Sequence, residues 1–119
     1  MIAATTAEII AEASAALAGL EVTVTDRPHE AAGAVMAGAP VVIVLPPSIE
    51  YVTVARRTAT WTLWALAPTT DPTEATGVFE PILDALAPAL LLDRAVPETY
   101  TLADQQFPGY TLTLTTEHN

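Results

Sequence analysis

The chain has 119 residues, 4 basic against 14 acidic side chains and a formal charge of −10, the size of one domain over residues 1–119 that buries about two-thirds of its unfolded surface. Hydrophobic residues at 51% and charged residues at 15% are the reverse of a disordered acidic tail, and the cations, Arg27, Arg56, Arg57 and Arg94, supply no cluster beyond Arg56-Arg57 to grip DNA phosphates. The absence of cysteine excludes disulfides, zinc–thiolate sites and thiol nucleophiles.

Met1-Ile2-Ala3-Ala4 has no positive charge ahead of an apolar stretch, which argues against a signal peptide. The uncharged run from Ala31 to Ile49 is interrupted by Gly33, Gly38, Pro40, Pro46 and Pro47, and its apolar centre is only strand-length. It reads as loop, strand and turn, with no membrane span.

Thr5-Thr6-Ala7-Glu8 has capping-box spacing: a hydroxyl accepts from the N–H near Glu8, and the carboxylate reaches back. Ile9, Ile10, Ala13, Leu17 and Leu20 follow at helical spacing, which predicts a first helix over residues 6–18. Leu20, Val22 and Val24 alternate with Glu21, Thr23 and Thr25 as a half-buried strand that ends at Asp26-Arg27-Pro28. Residues 29–39 are weakly patterned, with one helical turn or two over residues 30–36. Val41-Val42-Ile43-Val44-Leu45 is a β-branched run of the kind covered on both faces, stopped by Pro46-Pro47-Ser48.

Residues 51–66 are rich in threonine and aromatics, and from Ala59 onward they alternate as a strand. Trp64 and Leu66 break its polar face, so that end requires a cover. Asp71-Pro72-Thr73-Glu74 starts a second helix with a cap, a proline at the first position and a carboxylate near the dipole. An apolar stripe runs through Val78, Phe79, Ile82, Leu83, Leu86 and Leu90, but Pro81 and Pro88 predict a break near Gly77 or a kink. Tyr100 and Leu102, then Tyr110, Leu112 and Leu114, alternate with threonines as two closing strands. Gln105-Gln106-Phe107-Pro108-Gly109 is the expected hairpin connection, and Glu117-His118-Asn119 a loose tail. The order α-β-β-β-α-β-β predicts an α+β fold: a mostly antiparallel sheet of about five strands with two helices on one face.

Few residues carry chemistry. Ser14 lies inside a helix and Ser48 in a proline turn, and the five glycines make no phosphate cradle. The threonines fall at strand spacing and read as a solvated face. In Asp26-Arg27-Pro28-His29-Glu30, His29 is a candidate base or ligand beside two carboxylates, against the plainer reading of a solvated loop. His29 and His118 lack metal-ligand spacing. The expectation is therefore no catalytic, cofactor or metal site. Trp61 and Trp64, three apart on a strand, point to opposite faces; Trp61 belongs in the core, and Trp64 meets a loop or a partner. Arg56-Arg57 reads either as a pair keeping a strand soluble or as ion pairs to an acidic neighbouring subunit. Low charge with abundant alanine and threonine suits contact with further copies.

The order of elements resembles the tail terminator proteins of long-tailed bacteriophages, especially those of actinobacteria. The resemblance rests on Pro40-Val41-Val42-Ile43-Val44-Leu45-Pro46-Pro47 followed by Ile49-Glu50-Tyr51-Val52, on Arg57-Thr58-Ala59-Thr60-Trp61-Thr62-Leu63, on the acid-capped helix from Asp71, and on Gly109-Tyr110-Thr111-Leu112-Thr113-Leu114-Thr115. It covers nearly the whole chain, and Pro81 and Pro88 depart from the smoother helix usual in the family. It implies a non-enzymatic virion protein, a ring that is typically hexameric, which ends tail-tube polymerisation at the tail–neck junction after assembly in the host cytoplasm. The implied partners are further copies of the chain, the major tail tube protein and a neck or head-completion protein, with DNA passing through unbound and no membrane. Residues 48–57 would form an arm, and Tyr51, Arg56, Arg57 and Trp64 are the candidate subunit or tube contacts. The alternatives are another connector ring, such as a head-completion or stopper protein, or a small ligand-binding or hydrolytic domain using His29.

Overall fold

The computed structural model describes residues 5–53, 55–102 and 104–118. Thr5 caps helix α1 (Thr6–Ala16), its hydroxyl accepting from the Glu8 amide at 3.2 Å, as the spacing predicts. The short strand β1 (Thr23–Thr25) follows, and helix α2 (Pro28–Met36) leads from it into β2 (Val41–Val44). Strands β3 (Ser48–Thr53) and β4 (Arg56–Leu66) come next, then helix α3 (Pro72–Leu90) and the closing strands β5 (Arg94–Leu102) and β6 (Gln105–His118).

The fold is α+β. Its sheet runs β1-β2-β4-β6-β5, with β3 also paired to β4. Only β1 and β2 are parallel, joined through α2 as a parallel pair requires; the other ladders are antiparallel. The sheet has six strands instead of five, and α2 makes a third helix.

Strand alternation splits the apolar residues into two cores. Val42 and Val44 of β2, Trp61, Leu63 and Ala65 of β4, and Leu112 and Leu114 of β6 pack with Ile9 and Ala13 of α1 and Phe79, Ile82 and Leu86 of α3. These two helices share one face, as expected. On the opposite face Val41, Ile43 and Leu66 meet Ala31 and Val35 of α2 together with Tyr100 and Phe107. All four residues of β2 are buried because helices cover both its faces. Each fully buried aliphatic side chain contributes about 1.5–3 kcal/mol over its exposed state. Trp61 is 1% exposed, and its indole N–H donates to the Thr116 hydroxyl at 3.1 Å, so its burial orphans no polar atom.

Four local expectations need correction. The segment from Leu20 to Val22 is not strand: Glu21 takes φ 53°, and pairing begins at Thr23. Helix α3 continues through Pro81 and Pro88 without the break expected near Gly77. Gly77, Pro81, Asp84 and Pro88 recur at helical spacing and are all exposed, so the carbonyls left without an N–H donor face water. The hairpin turn lies between Leu102 and Gln105, with Asp104 at φ 63°, and Gln105-Gln106-Phe107-Pro108-Gly109 already pairs as strand. Glu117 and His118 are in register with Thr58 and Arg57 and are no tail; Asn119 lies outside the described residues.

Candidate functional site

Two prolines produce the feature that stands out. Pro46 and Pro47 supply no amide hydrogen, so the β2 ladder stops after Val44, although the Leu45 amide still donates to the Thr62 carbonyl at 3.0 Å. The chain then rejoins the same side of β4 as β3. Thus β2 pairs with Leu63 to Leu66 and β3 with Arg56 to Thr60, while β6 pairs with β4 on its other side from Arg57 to Leu66. The result is a three-stranded arm continuing the sheet.

All six residues of β3 are exposed, and its outer edge pairs with no described strand. Five large hydrophobic residues are exposed among the described residues, and three of them, Ile49 at 46%, Tyr51 at 72% and Val52 at 54%, are on β3. Ile49 lies opposite Ala59, and Tyr51 opposite Arg57, so both occupy the sheet face that Trp61 and Leu63 bury further along. Glu50 is the one charge on β3, a light defence for an open edge.

Arg56 donates to Glu117 at 3.2 Å across the arm tip, a solvent-exposed contact worth at most about 1 kcal/mol. Arg57 makes no ion pair with any described residue. Tyr51 and Arg57 are therefore brought together on one face of the arm, with Arg56 beside them at its tip on the opposite face. Trp64 is not: it is half-buried on the other face, its ring 4.9 Å from that of Tyr100, among residues packed on Ala31 and Val35. Seven residues of strand separate it from Arg57, about 23 Å. Helix α2 is the cover that the Trp64 end of the strand requires.

The polar cluster around His29 is the entry to α2. The Thr25 hydroxyl donates to Glu30 at 2.9 Å and accepts from the Arg27 amide at 3.1 Å, while the Arg27 guanidinium lies 3.5 Å from Glu30. The carboxylate of Glu30 is thus engaged with Thr25 and Arg27, and His29 is exposed on the first helical turn. Among the described residues no group of three or more histidines and carboxylates is placed to hold a metal ion. No helix among them is long and apolar enough to cross a membrane.

A scan of protein-family models returns no match to this chain, and a search of curated proteins returns no significant match.

Sequence reasoning missed one surface. A cleft of about 330 Å³ opens between the first half of α3 and the β5–β6 hairpin, lined by Pro72, Ala75, Thr76, Phe79, Pro97 and Tyr110. Phe79 and Tyr110 meet edge-to-face at 5.1 Å on its wall. Their separation of 31 positions in sequence hides the cleft from any local pattern; only the alternation that puts Tyr110 on the α3 side of β6 hints at it. Close by, Gly109 lets the Tyr100 ring cross β6: a Cβ there would stand 2.6 Å from both that ring and the Ala65 carbonyl. Burial pushes the Tyr100 phenol above its ordinary value of 10.0; its hydrogen bond with Thr111 opposes this, and the charge of Glu98 adds to it.

Proposed function

We propose that this protein is a structural ring subunit of a virion, a tail-terminator-like protein that closes on itself as a hexamer, caps the finished tail tube and presents a surface to the neck. The observation that carries this reading is the arm: an open-edged strand with Ile49, Tyr51 and Val52 in solvent and Arg57 unpaired among the described residues, at the end of the sheet beyond the helices that pack on it. An exposed apolar strand on a lone monomer is an aggregation hazard; in an assembling protein it is a contact. The charge agrees with the passage of DNA, since chains at −10 each repel phosphate from a channel instead of holding it. On this reading the protein resides at the tail–neck junction and is assembled in the host cytoplasm.

The test uses the major tail tube protein of the same phage. Added in small amounts to elongating tubes, the protein stops growth at the capped end, scored as tube length by electron microscopy. The double variant R56E/R57E folds normally but neither forms rings nor caps tubes. Normal capping by that variant overturns the arm's role, and unrestricted tube growth with the native protein overturns the function.

A further inference from the structure

We propose that the arm of one copy docks into the α3/β5–β6 cleft of the next, so that contact between subunits is head-to-tail. The inference rests on the ring reading and adds the receiving surface to it. On the arm, Ile49, Tyr51 and Arg57 share one sheet face, two apolar side chains beside a cation with no ion-pair partner among the described residues. In the cleft the pattern is complementary. Ala75, Phe79, Pro97 and Tyr110 make an apolar wall. Glu98 lines the cleft, and Glu80, outside the lining, is exposed one helical turn beyond Thr76; neither makes an ion pair with a described residue.

The wider charge pattern agrees. Helix α3 and its cap carry Asp71, Glu74, Glu80 and Asp84, all exposed, and no cation. In a chain with 4 arginines, Arg27 and Arg56 pair locally, which leaves Arg57 as the unpaired cation of the arm. At about 330 Å³ the cleft is at the small end of ligand-sized pockets, enough for one or two large side chains. Arm and cleft are different patches, so the contact is heterologous. Heterologous contacts close into rings when the rotation per subunit permits; a self-complementary arm–arm contact would stop at a two-fold dimer.

The native chain has no cysteine, so disulfide trapping is free of background. Chains carrying T53C, on the arm but outside the docking set of Ile49, Tyr51 and Arg57, and a mass-tagged set carrying T76C are purified separately, mixed and oxidised under mild conditions. Both positions are exposed, so neither change disturbs the fold. The expected product is the mixed covalent dimer, with little of either homodimer. Introducing R57E into the T53C chain lowers its yield roughly tenfold or more, and E80R in the partner chain restores it. A T53C homodimer as the main product shows arms meeting across a two-fold and overturns the proposal. No covalent product while rings persist in native mass spectrometry overturns the docking and spares the ring; no covalent product and no ring overturns both.

Discussion

From Leu63 to Leu66, β4 lies between β2 and β6 under helices on both sides of the sheet, and only Trp64 escapes full burial. From Arg56 to Thr58 the same strand has β3 and the end of β6 as neighbours, and no residue is buried. Both regions are paired with neighbouring strands, although the β3–β4 ladder shifts register between Tyr51 and Thr53. What separates them is cover: the helices end and the sheet continues. Backbone pairing thus extends a sheet into solvent, but apolar side chains on the extension stay unsatisfied until another surface arrives. The covered half holds the fold together; the uncovered half is where function is proposed.

Substitutions sharpen the contrast, because a change in the covered half costs stability and one in the arm costs assembly. The largest loss is expected from Trp61→Ala, about 3–5 kcal/mol, since it opens a cavity and removes the donor to Thr116. Chemical denaturation at a protein concentration low enough to dissociate the assembly measures it. Gly109→Ala comes next at about 1–3 kcal/mol, because the methyl group would sit 2.6 Å from the Ala65 carbonyl and the Tyr100 ring. Gly77→Ala, where a Cβ meets nothing within 4 Å, is its control and leaves the midpoint no lower.

Tyr100→Phe removes the hydrogen bond to Thr111 and costs about 0.5–1.5 kcal/mol. It also alters the response to alkali. The phenol holds its proton more tightly folded than unfolded, so its contribution is complete below pH 10.0 and is lost as pH rises through that value toward the raised folded one. Melting temperatures between neutral and strongly alkaline pH therefore fall less steeply from this cause in the phenylalanine variant. The smallest stability effect, within about 0.5 kcal/mol of zero, is expected for Tyr51→Ser, which is 72% exposed. The same variant loses self-association in sedimentation velocity, and a variant as associated as the native chain breaks the contrast.

Much of the covered half was legible in the sequence. Thr5 and Asp71 announce their helices because capping is local chemistry, and Asp71 accepts from the Thr73 amide at 2.9 Å. Val41-Val42-Ile43-Val44 announces a doubly covered strand because it is short, β-branched throughout and bounded by prolines. The parity of Trp61 and Trp64 places them in different cores. Helix α2 was not legible as a full element: its buried stripe is only Ala31 and Val35, and Gly33 weakens its propensity. β3 was readable only as part of an arm, since Ile49 and Tyr51 are too few alternating apolar residues to mark a strand and Val52 interrupts the period. The receiving cleft was hinted at only by the alternation that puts Tyr110 on the α3 side of β6, because it exists only once α3 lies beside β6.

If the arm builds a closed assembly, native mass spectrometry across a concentration series, with and without tail tube protein, shows one discrete closed species, about 75 kDa for six copies of the 12.5 kDa chain, and this species disappears in R56E/R57E. A monomer at every concentration, unchanged by the tube protein, would contradict closure by the arm.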